Sequence, residues 1–168
     1  PKERLRGLMS PAEFAALEGL GDWRFVLGAI TAEYQAGSYP AAASLIEAVA
    51  AAAEAAHHHP DVDLRYPDIV RFVLTTHAAG SLTVLDIDLA RTISELAARA
   101  EAEPTHAGLQ ALEVAIDTMD ADRIRPFWAA VLGYQDEGGY LVDPRRIGPP
   151  IWFQQMDAPR TQRGRLHI

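Results

Sequence analysis

Three consecutive histidines, His57, His58 and His59, close an alanine-rich stretch and are followed at once by Pro60. With His77 a short way downstream, four of the six histidines in the 168 residues fall between positions 57 and 77. Imidazole changes charge near neutral pH, so such a cluster suits general acid/base proton transfer. Glu54 precedes His58 by one helical turn, the spacing at which its carboxylate is expected to reach that ring. A carboxylate bonded to one ring nitrogen fixes the tautomer and leaves the other nitrogen for chemistry. Two other readings fit the same residues. The triplet can be a polar helix end, where cationic imidazoles suit the C-terminal dipole. A zinc site is the weakest reading, because adjacent histidines diverge and the His-x3-5-His spacing of helical zinc sites is absent. With no cysteine in the chain, disulfides, thiolate nucleophiles and thiolate zinc sites are excluded.

The elements that must position these residues follow from periodicity and punctuation. Residues 41–56 place Leu45, Ile46, Val49 and Ala53 at helical spacing, and Pro60 stops that helix just after the histidines. Val62, Leu64 and Tyr66 alternate with Asp63 and Arg65 as in a half-buried strand, and "IVRFVLTTH" (69–77) reads as a second strand that ends at His77. The intervening "YPD" is a turn. Thr83-x-x-Asp86 is a capping box opening a helix with Leu85, Leu89, Ile93, Leu96 and Ala100 on its apolar face. Upstream, Ser10-Pro11-Ala12-Glu13 starts a short helix ended by Gly19 and Gly21. Trp23 to Tyr34 is expected to form one strand bent at Gly28.

Composition bounds the function classes. Nearly half of the residues are apolar, enough for a core, and no run reaches the length of a membrane span. No secretory signal is evident, which makes a cytoplasmic location the expectation. Of the net charge of −8, −7 falls on residues 1–103 and −1 on residues 104–168. No basic stripe exists, which argues against nucleic acid and for a small-molecule substrate.

The run "EAAAEAAHHHPDVDLRY…TTHAAGSLTVLDIDLA" resembles the pterin-4a-carbinolamine dehydratases over residues 10–100 or so. Their signature is an acidic residue, His-His-Pro one turn later, an aromatic, a distal histidine and an aspartate beyond it. Here it falls on Glu54, His58-His59-Pro60, Tyr66, His77 and Asp86, with His57 preceding the motif. The Tyr66–His77 segment is one residue longer than the family pattern, a difference that a β-bulge would absorb. The resemblance implies loss of water from a 4a-hydroxytetrahydropterin, giving the quinonoid dihydropterin without a metal or redox cofactor. It also implies that His58, His59 and His77 are the catalytic set. Glu54 would orient or bind, Asp86 would help hold the loop or His77, and Glu54, Thr76 and Asp86 would form the substrate-binding group. A rival reading keeps the fold as a non-catalytic dimerisation or ligand-binding module.

The second half begins after a stretch, "AEAEPTHAG", that reads as a linker. "LEVAID", the amphipathic helix "DADRIRPFWAAVLGY" and the strands in "GGYLVDP" and "PIWFQQM" follow, then "RLHI". Ile124, Phe127, Trp128, Val131 and Leu132 share one side of the helix, and Gly133 stops it. This order resembles the first βαβββ module of a glyoxalase/bleomycin-resistance domain. The family's first metal ligand falls on Gln110, expected on the opening strand, and His167 could supply another from a second module. One glutamine and one histidine make a poor divalent site, so a metal-free module is expected. The overall expectation is an α+β protein. An antiparallel sheet with flanking helices spans 1–103 and a glyoxalase-like half domain spans 104–168. The chain is expected to form a homo-oligomer, since a lone module leaves strand edges uncovered. A further alternative places the main activity in a complete glyoxalase-like domain of a longer chain.

Overall fold

The structure, a computed structural model, describes residues 9–159, 161, 166 and 167. The chain divides into two compact units, Pro1–Gln110 and Ala111–Ile168.

The first unit runs α1 (Pro11–Ala15), β1 (Arg24–Val26), β2 (Ala29–Gln35), α2 (Tyr39–Ala56), β3 (Asp61–Arg65) and β4 (Ile69–Leu74). A 3-10 turn (His77–Ala79), α3 (Val84–Arg99) and β5 (Glu103–Thr105) complete it. The antiparallel sheet has the order β1-β2-β4-β3, and β5 pairs with the end of β2 that β1 leaves free. Alternate residues of β2 and β4 (Ile30, Ala32 and Tyr34; Val70, Phe72 and Leu74) point into the core. There they meet Leu45, Val49 and Ala53 of α2 and Leu89, Ala90, Ile93 and Ala97 of α3. The strand period of two and the helix period of 3.6 thus converge on one apolar layer.

Three local expectations change. Trp23–Tyr34 is a hairpin and not one bent strand. Leu27 (φ 47°) and Gly28 (φ 80°) form a two-residue turn between the paired Val26 and Ala29, and two successive positive φ angles match the right-handed strand twist. Tyr66 lies in the β3–β4 turn, 92% exposed, because β3 is an edge strand that ends at Arg65. The β3–β4 register runs unbroken from Asp61↔Val73 to Arg65↔Ile69, so no bulge lies between these strands. Finally, the stretch read as a linker supplies β5.

The second unit contains β6 (Val114–Thr118), α4 (Ala121–Leu132), β7 (Gln135–Glu137), β8 (Tyr140–Val142), β9 (Ile151–Gln155) and β10 (Leu166–His167). Its sheet order is β10-β6-β9-β8-β7, with β6 and β9 parallel and the other pairs antiparallel. The Asp120 side chain caps α4 by accepting the Arg123 N–H at 3.1 Å, and Gly133 ends the helix at φ 70°. Ile116, Leu141 and Ile151 form the core with Ile124, Trp128 and Phe153 packed against them. The apolar face of α4 is only partly used, since Phe127 and Val131 are about three-fifths exposed. At 3.6 residues per turn, Ile124, Trp128 and Ala129 sit toward one flank of the stripe and Phe127 and Val131 toward the other. The short strands cover the first flank.

Candidate active site

Helix α2 needs a stop that turns the chain back toward the sheet, and His57 supplies it in the left-handed conformation (φ 50°). Its N–H bonds to the Ala53 and Glu54 carbonyls, and the His58 N–H returns to the Ala53 carbonyl at 3.1 Å. This C-terminal turn breaks the helical spacing on which the Glu54–His58 expectation rested. His58 swings inward, its side chain 10% exposed, and its Nε2 lies 2.7 Å from Asp86 Oδ1. Glu54 instead meets His59, with Oε2 3.0 Å from Nε2, and both side chains remain largely exposed.

Asp86 is fully buried, and a buried carboxylate is tolerated only when donors surround it. Four atoms surround it. Oδ1 faces His58 Nε2, while Oδ2 accepts from Thr76 Oγ1 at 2.7 Å and from the Thr83 N–H at 2.7 Å, with Thr83 Oγ1 3.3 Å away. Asp86 is therefore both the acidic member of the capping box that starts α3 and the anchor of His58. Thr76 sits just beyond β4, bridged to Ser81, and its hydroxyl is committed to Asp86. It is a buried wall residue, where the sequence suggested a substrate contact, and Asp86 is equally inaccessible. The expected contact of Asp86 with His77 is replaced by the bond to Thr76, its chain neighbour.

His77 opens the 3-10 turn, which Gly80 closes at φ 63°, and its side chain faces solvent. His59 adjoins His58 and His77 adjoins Thr76, so the Asp86 network ties together the two chain segments that carry the three histidines. Tyr66 is remote from them along β3, at the opposite end of the strand from Pro60. The arrangement is one buried, carboxylate-held imidazole, with an exposed histidine next after it in the chain and another next after Thr76. Sequence reading missed Thr83 as a member of the site. Its signal was the capping box, whose aspartate has a second oxygen to offer.

Among the described residues, no three His, Cys, Asp or Glu side chains are grouped to hold a metal ion. Gln110 lies outside β6, exposed and within the first unit, because the strand begins at Val114. The His167 side chain lies outside the described residues. No helix among them is long and apolar enough to cross a membrane.

Comparisons with known proteins match both units in order. Residues 8–96 match the family model for pterin 4 alpha carbinolamine dehydratase, and residues 113–168 match that for a glyoxalase-like domain. A Nocardia farcinica protein named "Putative pterin-4-alpha-carbinolamine dehydratase" is 50% identical over 91 residues, covering 54% of this chain and 95% of that protein. A Chloroflexus aurantiacus protein of the same name is 44% identical over 89 residues, covering 52% of this chain and 95% of its own. The crystal structure of a transcriptional coactivator/pterin dehydratase from Brucella melitensis superposes with a TM-score of 0.50 at 29% identity. The match covers 54% of this chain and 99% of that one. A mixed α/β unit with an antiparallel sheet, the ordered Glu-His-His-Pro…His…Asp motif and a family match over more than half of the sequence lead to one assignment: the chain belongs to the pterin 4 alpha carbinolamine dehydratase family.

Proposed function

We propose that the first unit dehydrates a 4a-hydroxytetrahydropterin by histidine acid/base catalysis. The observation that carries this reading is the buried His58–Asp86 pair at 2.7 Å beside the exposed His59 and His77. In the reaction the C4a–O bond breaks as the hydroxyl takes a proton and leaves as water. The N5–H bond gives its proton to a base, and its electron pair forms the C4a=N5 bond of the quinonoid product. One acid and one base therefore suffice, and three neighbouring imidazoles can supply both. Each positioned group contributes about 10²- to 10⁴-fold. His58, tied to Asp86, is the oriented member, and Glu54 orients His59 from the exposed side.

Turnover of chemically generated 4a-hydroxytetrahydropterin tests the proposal, with and without a chelator. Dehydration well above the uncatalysed rate and indifferent to chelation is expected. Activity that chelation removes and zinc restores would make this a metal site. That the Brucella protein is named a transcriptional coactivator as well as a pterin dehydratase favours a second reading, in which the fold serves as a binding module. Absence of turnover in the folded chain would favour it. We propose further that the chain self-associates, because β3 is a free sheet edge and α4 exposes Phe127 and Val131. Light scattering at micromolar concentration checks this, and a strict monomer would refute it.

A further inference from the structure

We infer that Thr76 and Thr83 are positioning residues for proton transfer, holding Asp86 so that its Oδ1 keeps His58 bonded through Nε2 and leaves Nδ1 as the working nitrogen. The inference deepens the acid/base reading of this site and rests on it. It follows from counting protons. Each threonine hydroxyl has one hydrogen to give, and an ionised carboxylate can only accept. Thr76 Oγ1 lies 2.7 Å from Asp86 Oδ2 and 2.8 Å from Thr83 Oγ1. Its single proton goes to Asp86, so the proton between the two hydroxyls belongs to Thr83, whose Oγ1 lies closer to Thr76 Oγ1 (2.8 Å) than to Asp86 Oδ2 (3.3 Å). Thr83 Oγ1 in turn accepts the Leu85 N–H at 3.3 Å. A directed chain results, from the Leu85 amide through Thr83 and Thr76 to Asp86.

The Thr83 N–H fills a further position on Oδ2 at 2.7 Å. With Oδ2 occupied, Oδ1 is the oxygen left to receive His58, and the ring must donate through Nε2. Asp86, Thr76 and Thr83 are all buried, so water does not compete for these bonds. Among the described residues, the ring is hydrogen-bonded through Nε2, and Nδ1 remains for proton exchange with substrate. The first turn of α3 therefore sets the orientation of a histidine delivered by the end of α2.

The test uses the full chain and four variants, Thr76→Val, Thr76→Ser, Thr83→Val and Thr83→Ser. The first readout is the NMR resonance of the His58 Nε2–H, expected in the wild type as a downfield signal protected from solvent exchange. Thr76→Val should abolish or broaden it while the fold persists, and Thr76→Ser should restore it. Thr83→Val also removes a helix cap, so Thr83→Ser carries the argument there if the valine variant fails to fold. The second readout is kinetic. Thr76→Val should lower kcat on the order of tenfold to a hundredfold with little change in KM. A protected resonance that survives Thr76→Val would overturn the inference, as would a KM effect with kcat preserved. A wild type without turnover would instead sink the dehydratase reading, and the resonance alone would then judge the positioning role.

Discussion

A histidine triplet at a helix end contains three residues of one type in three different environments. His57 is the left-handed C-cap, His58 is drawn to Asp86, and His59 stays in solvent beside Glu54. Single changes of His58, His59 or His77 to Ala should each lower dehydration by about tenfold or more, with folding retained. His57→Ala should be nearly silent, since its ring has no place in the network. Equal losses for His57→Ala and His59→Ala would show that the motif register is off by one. The sequence made the residue types and the motif order legible. Their pairing was not legible, because the spacing argument that joined Glu54 to His58 assumes a helix continuing through His57, and one positive φ angle redirects every later side chain. Thr83 was hidden for a related reason. A capping box accounts for one carboxylate oxygen, and the residue that claims the other comes from another part of the chain.

Elements with their own start and stop signals were readable, and those defined by long-range pairing were not. The boxes at Ser10/Glu13 and Thr83/Asp86 and the Gly133 stop all appear where the residues demand them. Strand β7 escaped notice because Gln135–Glu137 has no apolar alternation and is held only by its hairpin to β8. The loop after β8 depends on one carboxylate. Asp143 accepts backbone N–H groups from Arg145 at 2.9 Å, Ile147 at 3.1 Å and Gly148 at 2.9 Å. These bonds, led by those from Gly148 and Arg145, hold its carboxyl below the usual aspartate range. A folded-state pKa below the unfolded value gives stability that is complete above the ordinary carboxylate pKa and is lost as pH falls through the folded value. Asp143→Asn should therefore open this loop at neutral pH and change it progressively less in acid. Amide exchange at Gly148 measures the effect. A difference between variant and wild type that does not shrink on acidification would show that the loop is held by something other than the ionised carboxylate.

At the scale of the whole molecule, composition pointed to a break near residue 103, whereas the first compact unit extends to Gln110. The reason is a strap that no local pattern announces. Glu103–Thr105 pairs with β2, Tyr34 opposite Pro104 and Glu33 opposite Thr105. The chain then continues over the outward side of the sheet, where His106 Nε2 lies 2.9 Å from an Arg24 guanidinium nitrogen. Gly108 comes next, its carbonyl accepting from Arg71 Nη2 at 2.9 Å. Arg71 is ion-paired with the buried Glu33, and Gly108 packs so close to that carboxylate that a Cβ would meet Glu33 Oε2 at 2.7 Å. A chain cut after Ala102 loses the β5 pairing, the cover over Glu33 and the bond to Arg71. A hydrogen bond to a charged group contributes about 1.5–3 kcal/mol by itself. A chain cut after Gln110 keeps all three. Denaturant melts of the two truncations should therefore differ by at least that amount, with the longer piece unfolding in one cooperative transition and retaining dehydratase turnover. The histidines lie in both pieces, so a shorter piece of equal stability would mean that the strap merely rests on the sheet, and the Glu33–Arg71 pair would then be sustained by the strands alone.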